Sequence, residues 1–180
     1  MNTAVPIIET ARLTLRAHRT EDLDACAAMW SDPIVTRHIS GRPSNRTDTW
    51  MRMLRYAGLW CMLGYGYWAV EERTSSKFVG DVGLADFHRE LSPSIRGIPE
   101  AGWVLDPAFY GRGYATEALR AALAWADGNI TGDETACIVA PENAASIRVA
   151  EKAGYVERAR TTYLGAPTIL FIRSRSSKLG

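Results

Sequence analysis

Cysteine is scarce in this chain. Cys26, Cys61 and Cys137 stand far apart and no Cys-x-x-Cys pair occurs, and an odd count does not suit a disulfide framework. The three read as buried or inert thiols in a reducing compartment. With three histidines they show no ligand-like spacing, so no metal site is expected. No apolar run approaches the ~20 residues of a membrane helix. The opening MNTAVPIIETARLTLR lacks the basic start, apolar core and small-residue cleavage site of a signal peptide. A cytoplasmic protein without a membrane partner is the expectation. Charge of one sign is missing too, since 21 Lys and Arg face 20 Asp and Glu, for a net +1. A nucleic-acid binder usually shows a basic stripe or tail, so no nucleic-acid partner is expected. The basic stretch Arg173-Ser-Arg175-Ser-Ser-Lys178 reads as a solvated, frayed end.

What is present is an ordinary globular composition, 47% hydrophobic and 23% charged over 180 residues. That length suits one domain, residues 1–180 with a core of about 8–173, able to bury roughly 70% of its unfolded surface. Arg12–Arg16 alternates polar and apolar residues as a half-buried strand does. Thr20 can cap a helix running to about Trp30, and Asp32-Pro33 stops it. Ser44 or Asn45 opens a second helix carrying Trp50, Met53, Leu54 and Ala57 to about Leu63-Gly64. Tyr67–Glu71 and Phe78–Leu84 form a hairpin around Ser75-Ser76. Residues 88–99 are a loop, and Ala101–Leu105 is a short strand ended by Asp106-Pro107. A helix begins near Gly113, with Ala115, Ala118, Leu119, Ala122, Leu123 and Ala126 as its apolar stripe. Thr135–Val139 is a strand and Asn143–Ala153 a helix, with Gly154 placed to end it. Tyr155–Tyr163 and Thr168–Arg173 close the chain as a hairpin. The order is that of a mixed α/β domain whose later helices cover sheet faces.

Tyr110-Gly-Arg-Gly-Tyr-Ala115 lies between a strand and a helix. Gly111 and Gly113 allow a sharp turn, and the helix start offers unpaired N–H groups and a partial positive charge. Together these make an anion site built from backbone amides, to which Arg112 adds a charge and Thr116 a hydroxyl. It is not a Walker A loop, for GxxxxGK[ST] is absent. It is not the dinucleotide fingerprint either, because Thr116 stands where the third glycine would be. A strand-to-helix connection that uses glycine for geometry alone accounts for the same residues.

The segment GWVLDPAFYGRGYATEALRAALAWA, followed by PENAASIRVAEKAGYVE, resembles the GCN5-related N-acetyltransferase (GNAT) superfamily. RLTLRAHRTEDLDA and FVGDVGL fit the branch holding the ribosomal-protein N-terminal acetyltransferases. The resemblance runs from about Ile8 to Arg173. Tyr110 departs from the Gln or Arg that often begins the superfamily turn, though both glycines remain. The resemblance implies an α/β (α+β) fold with a mixed, mostly antiparallel central sheet flanked by helices on both faces. It implies acetyl-CoA in a wedge between strands 101–105 and 135–139. Backbone groups of Trp103, Val104 and Leu105 would pair with the pantetheine arm, and amides of Arg112, Gly113, Tyr114, Ala115 and Thr116 would take the pyrophosphate.

Asn143 is a good helix N-cap, with Ser146 in the first turn. The resemblance adds that Asn143 bonds the pantetheine arm and that Ser146 sits beside the CoA sulfur to protonate the thiolate; Tyr155, which follows the helix, either packs or serves that role in second place. Attack on a thioester needs a neutral amine, and a carboxylate, directly or through water, can take the proton. Glu100, just before the strand that should hold the thioester, is the candidate base. Asp86 and His88 are weaker ones, and Glu100 reads equally as a solvated loop-end acid. A backbone N–H near Val104 or Leu105 would serve the oxyanion. The tryptophans read mostly as core; Trp30 and Trp50 instead line an acceptor pocket if this chain follows the family, whose members place acceptors near these helices. The implied reaction is acetyl transfer to a primary amine in a ternary complex. The amine would be a protein N-terminal α-amine or a small molecule such as an antibiotic, polyamine or amino acid. A non-catalytic CoA-binding module, or a protein using the turn for another phosphate, remains open at this stage. Members of this branch often form homodimers, so a second copy is an expected partner.

Overall fold

The computed structural model describes residues 4–175. They build one eight-stranded sheet in the order β1-β2-β3-β4-β5-β6-β8-β7. In chain order the strands are β1 (Ile8–Glu9), β2 (Leu13–Arg16), β3 (Tyr67–Glu72), β4 (Phe78–Ala85), β5 (Glu100–Leu105), β6 (Glu134–Val139), β7 (Val156–Tyr163) and β8 (Ala166–Ser174). Every pairing is antiparallel except β5 with β6. The helices are α1 (Leu23–Ser31), α2 (Pro33–Thr36), α3 (Arg46–Leu63), α4 (Tyr114–Asn129) and α5 (Ala144–Lys152). This is an α/β architecture, mostly antiparallel, with helices on both faces.

Strand alternation sorts the side chains between the two faces. On one face Leu13, Leu15, Val70, Val79, Val82 and Leu84 meet the α4 stripe Ala118, Leu119, Ala122, Leu123 and Ala126, and Cys137, Phe171 and Ala150 of α5 extend the same core. The other face carries α1, α2 and α3. There Met29, Trp30 and Val35 pack with Val104, and Tyr56 packs with Tyr67 and Ala85.

Several elements differ from the sequence reading for identifiable reasons. Thr20 opens a 3-10 turn, Thr20–Asp22, rather than capping α1. Asp22 is buried because Arg16 binds it twice, at 2.8 Å each. Asp32-Pro33 ends α1 but also begins α2, with the Asp32 carboxylate accepting the Ile34 N–H at 2.7 Å and Pro33 in the first turn. Asn45 caps α3, and Gly64 ends it in the left-handed region at φ 75. The buried face of α3 is Thr49, Met53, Tyr56 and Trp60, while Leu54 is exposed. Polar-tipped tyrosine and threonine, not leucine, fix the side that faces the sheet. The short β1 was not anticipated. Of the cysteines, Cys26 and Cys137 are buried, but Cys61 is exposed. The basic end is not frayed where described, for Arg173 binds Asp127 at 2.5 and 3.0 Å as β8 pairs with β6. Residues 176–178 of that stretch lie outside the described residues. No described helix is long and apolar enough to cross a membrane.

Candidate active site

The parallel ladder between β5 and β6 is confined to Glu100 and Ala136, with the Ala136 N–H donating to Pro99 O at 3.0 Å. Past that pair β5 stays bound to β4 through Leu105, and β6 stays bound to β8 through Val139. The facing edges of residues 101–105 and 137–139 are therefore unpaired with each other. Two strands of one sheet part here and leave two backbone edges that do not bond each other. Trp103 and Val104 on that edge are half-buried.

The turn lies at the far end of β5. Gly111 and Gly113 stand at φ 76 and 78, the left-handed region that residues with a Cβ enter at a cost of roughly 1–2 kcal/mol. A Cβ would meet nothing at Gly111 and only Arg12 Nη2, at 3.6 Å, at Gly113. Backbone conformation rather than crowding thus calls for glycine. The first backbone bond of α4 runs from Glu117 N–H to Gly113 O, so the N–H groups of 112–116 have no helical acceptor. The turn is held from beneath. Arg12 donates to Arg112 O at 2.8 Å and pairs with Glu117, which also accepts the Thr10 hydroxyl at 2.6 Å. Burial works against the Glu117 charge, but the bonds from Thr10 and Arg12 outweigh it and hold its pKa below the usual range. Tyr114 Oη donates to Glu72 at 2.6 Å, and the same carboxylate faces Arg112 at 3.5 Å.

Asn143 caps α5, its side-chain oxygen accepting the Ser146 N–H at 3.1 Å. This commits that oxygen to the helix. Ser146 is half-buried in the first turn. Tyr155 is a core residue, 2% exposed. Its hydroxyl donates to Thr135 Oγ1 at 2.9 Å, and burial, reinforced by Cys137, keeps its pKa high.

Glu100 is buried and is not a solvated loop-end acid. Both its oxygens accept from Arg89, at 2.5 and 2.9 Å. Burial raises its pKa above the usual carboxylate value, and Arg89 opposes that rise without cancelling it. Asp86 is occupied in shaping the loop, accepting the N–H groups of His88 at 2.9 Å and Gly97 at 3.0 Å, while His88 itself is largely exposed. Trp30 is buried, its indole donating to Asp81 at 3.0 Å while His18 bonds the other oxygen at 2.8 Å. The Arg52 guanidinium lies 3.6 Å above the Trp30 ring, which leaves the ring little open surface. Trp50 is half-buried on α3. Among the described residues no group of three or more His, Cys, Asp or Glu can hold a metal.

The structure adds residues that sequence reasoning missed. Arg89 reaches Glu100 while lying over the rings of Phe87 and Tyr163, at 4.7 and 4.8 Å. Tyr67 stacks on Tyr56 with centroids 4.5 Å apart and planes 8° apart. The one sequence signal for this cluster is the glycine spacing of β4 and β5, where Gly83 and Gly102 stand in register with Tyr67.

Comparison with known proteins bears on what this arrangement belongs to. The family model of the acetyltransferase (GNAT) domain matches residues 12–156. The Bacillus subtilis protein YkkB is 31% identical over 160 residues, 86% of this chain and 87% of that one. A GnaT-family acetyltransferase from Bordetella pertussis superposes with a TM-score of 0.82 at 26% identity, covering 94% of this chain and 99% of that one. RimL, a ribosomal L7/L12 α-N-protein acetyltransferase solved with coenzyme A, superposes with a TM-score of 0.77 over 94% of this chain and 98% of its own, at 16% identity, a likeness of fold alone. With the parted strands, the glycine turn and the capped α5 all inside or bordering the matched span, the chain belongs to the GNAT acetyltransferase family.

Proposed function

We propose that this acetyltransferase moves an acetyl group from acetyl-CoA to a primary amine by direct attack in a ternary complex. The observation that carries the reading is the parting of β5 from β6 beyond Glu100 and Ala136, continuous with a turn of unpaired amides. The residues present fit the donor. The free β5 edge at Trp103, Val104 and Leu105 offers backbone groups to an amide-bearing arm as an added strand would. The N–H groups of Arg112, Gly113, Tyr114, Ala115 and Thr116 lack helical acceptors at a helix start, where two phosphates are favoured. Asn143 holds the start of α5, and in this reading Ser146 of its first turn serves the same site.

In this proposal Glu100 takes the amine proton through water, and Ser146 returns one to the thiolate. Tyr155, bonded to Thr135 in the core, is left to packing. Arg89 makes Glu100 a weaker base than burial alone would, and even so raised a carboxylate remains a weaker base than an amine. That favours an acceptor already partly neutral near pH 7. An α-amine, with a pKa of ~8, keeps roughly a tenth of its molecules neutral there, against fewer than one in a thousand for a lysine-like amine at ~10.4. A protein N-terminal α-amine is therefore the preferred acceptor, and a small-molecule amine of similarly low pKa is the alternative. The protein is read as acting in the cytoplasm, with a homodimer as its assembly.

The test is thiol release from acetyl-CoA against a panel of peptides and small amines. Turnover with α-amines ahead of ε-amines is expected. Saturable acetyl-CoA binding with no thiol release on any amine would make the chain a CoA-binding module instead. In a thermal-shift screen CoA should raise Tm while ATP and NAD should not.

A further inference from the structure

Tyr67 on β3, Gly83 on β4 and Gly102 on β5 stand side by side in register across three strands. Residues so paired share a face, and two adjacent glycines leave a lane across that face without side chains. The Tyr67 ring lies along the lane. A Cβ on Gly83 would stand 2.7 Å from the ring's Cγ, and a Cβ on Gly102 would stand 2.1 Å from the hydroxyl oxygen and 3.2 Å from Cζ. The phenol thus begins on β3 and ends on β5. Tyr56 of α3 stacks on it in parallel, and Phe87 closes a flank at 6.4 Å.

This placement holds the ring far more firmly than its hydroxyl. Tyr67 is 7% exposed, and buried tyrosine hydroxyls are ordinarily partnered. Here no hydrogen bond to the hydroxyl forms among the described residues, and the oxygen is not one of the fully enclosed unpartnered atoms, so it keeps some access to solvent. A phenylalanine would fill the lane equally well, so packing does not account for the oxygen. Its position does suggest a use. Gly102 lies two residues beyond Glu100, where β5 and β6 are last joined, and immediately before the edge assigned above to the donor.

We propose that Tyr67 is a substrate-contacting residue whose hydroxyl oxygen accepts a hydrogen bond from the acceptor amine and aligns the nitrogen lone pair with the thioester carbon. The inference rests on the acyltransferase reading. The N–C bond forms and the C–S bond breaks. One proton leaves the nitrogen for Glu100 through water, Ser146 gives one to the departing thiolate, and exchange with solvent returns a proton to Ser146 and removes the one on Glu100. Tyr67 keeps its own proton throughout, because burial and the nearby Glu100 charge both raise its pKa. Glu100, held on both oxygens by Arg89, receives the proton but does not grip the amine. The phenol supplies that grip on a ring that cannot swing, the condition under which alignment accelerates attack.

The experiment uses the full chain, acetyl-CoA and an amine that the wild type turns over. Tyr67→Phe should lower kcat/KM for the amine by about 10- to 100-fold, mostly in kcat, with Tm and the calorimetric Kd for acetyl-CoA unchanged. Gly102→Ala, whose Cβ displaces the hydroxyl, should cause a similar loss. In the Tyr67→Phe background the same Gly102→Ala should cost less than about threefold more, because the two act through one atom. Tyr67→Phe with kcat/KM within twofold of wild type overturns the proposal. So does a loss of activity matched by losses in Tm and acetyl-CoA affinity, which would make the ring structural. A wild type inert on every amine is a different failure, for it removes the acyltransferase reading itself and this inference with it.

Discussion

Glu100 sits where a carboxylate is poorly solvated and yet is held charged by Arg89. The two influences pull its pKa in opposite directions, and burial wins. If this group takes the amine proton, the acidic limb of the kcat/KM profile lies above the ordinary carboxylate range. Replacing Arg89 with Gln removes the groups that lower that pKa, so the limb should move to higher pH and activity at pH 6 should fall more than at pH 8. Glu100→Gln should abolish the limb and reduce kcat/KM by about 10²-fold or more. An unchanged profile in either variant would exclude Glu100 as the base. Arg89 could not be inferred from the sequence, because its partner lies eleven residues away across a loop of mixed charges and glycine. Glu100 could be singled out only by its place before an apolar strand. In sequence Tyr67 is only the first residue of a strand, and the register of three strands shows that two glycines make room for it.

Among the elements, α4 and its entry turn were the most readable. Two glycines before an alternation of alanine and leucine on one face leave little other than a tight turn into a helix packed on a sheet. The sequence hid what supports that turn. Thr10 and Arg12 stand on and beside the link from β1 to β2, more than 100 residues before Glu117, and only the sheet brings them under the start of α4. Glu117→Gln should lower acetyl-CoA affinity by about 3- to 10-fold, because Arg12 then loses the partner that holds it against the Arg112 carbonyl. Gly113→Ala should lower it further, since a left-handed residue with a Cβ is strained by roughly 1–2 kcal/mol. Calorimetric titration of acetyl-CoA reads both, and unchanged affinity would show that the turn binds nothing. Asp32-Pro33 marks the limit of such reading. The pair reads as a stop, yet Asp at an N-cap and Pro in a first turn are equally the marks of a start, and α2 follows at once.

For the molecule as a whole, the buried pair of Arg16 and Asp22, with Glu71 beside it, fixes the end of β2 to the segment leading into α1. Burial raises the Asp22 pKa, but the bonds from Arg16 outweigh it and leave the group below its ordinary value. The sign follows from the depressed native pKa. Its contribution to stability is complete above the unfolded carboxylate pKa of ~3.9 and fades as the pH falls through the native value. Asp22→Ala should destabilise the fold by about 3–5 kcal/mol at pH 7, because it leaves a buried guanidinium without its main partner. The difference from wild type should shrink below about pH 4, and urea unfolding at several pH values measures it. A pH-independent deficit would contradict the linkage. The fold class was open to sequence reasoning through the order of strands and helices. The parting of β5 and β6 was available only as something the family resemblance implied, since it depends on strands joined through a whole helix.

That parting makes the sheet two half-sheets, β1 to β5 on one side and β6, β8 and β7 on the other. They share one pair of parallel residues, a hydrophobic core and the arch of α4. In mechanical terms the Glu100–Ala136 junction is a hinge pin at the closed end of a fork. On the proposed reading, acetyl-CoA laid between the tines would be a strut as well as a reactant. Its arrival would stiffen the protein at the place where the backbone alone does not, and its departure would return the fork to the spring of a single pin.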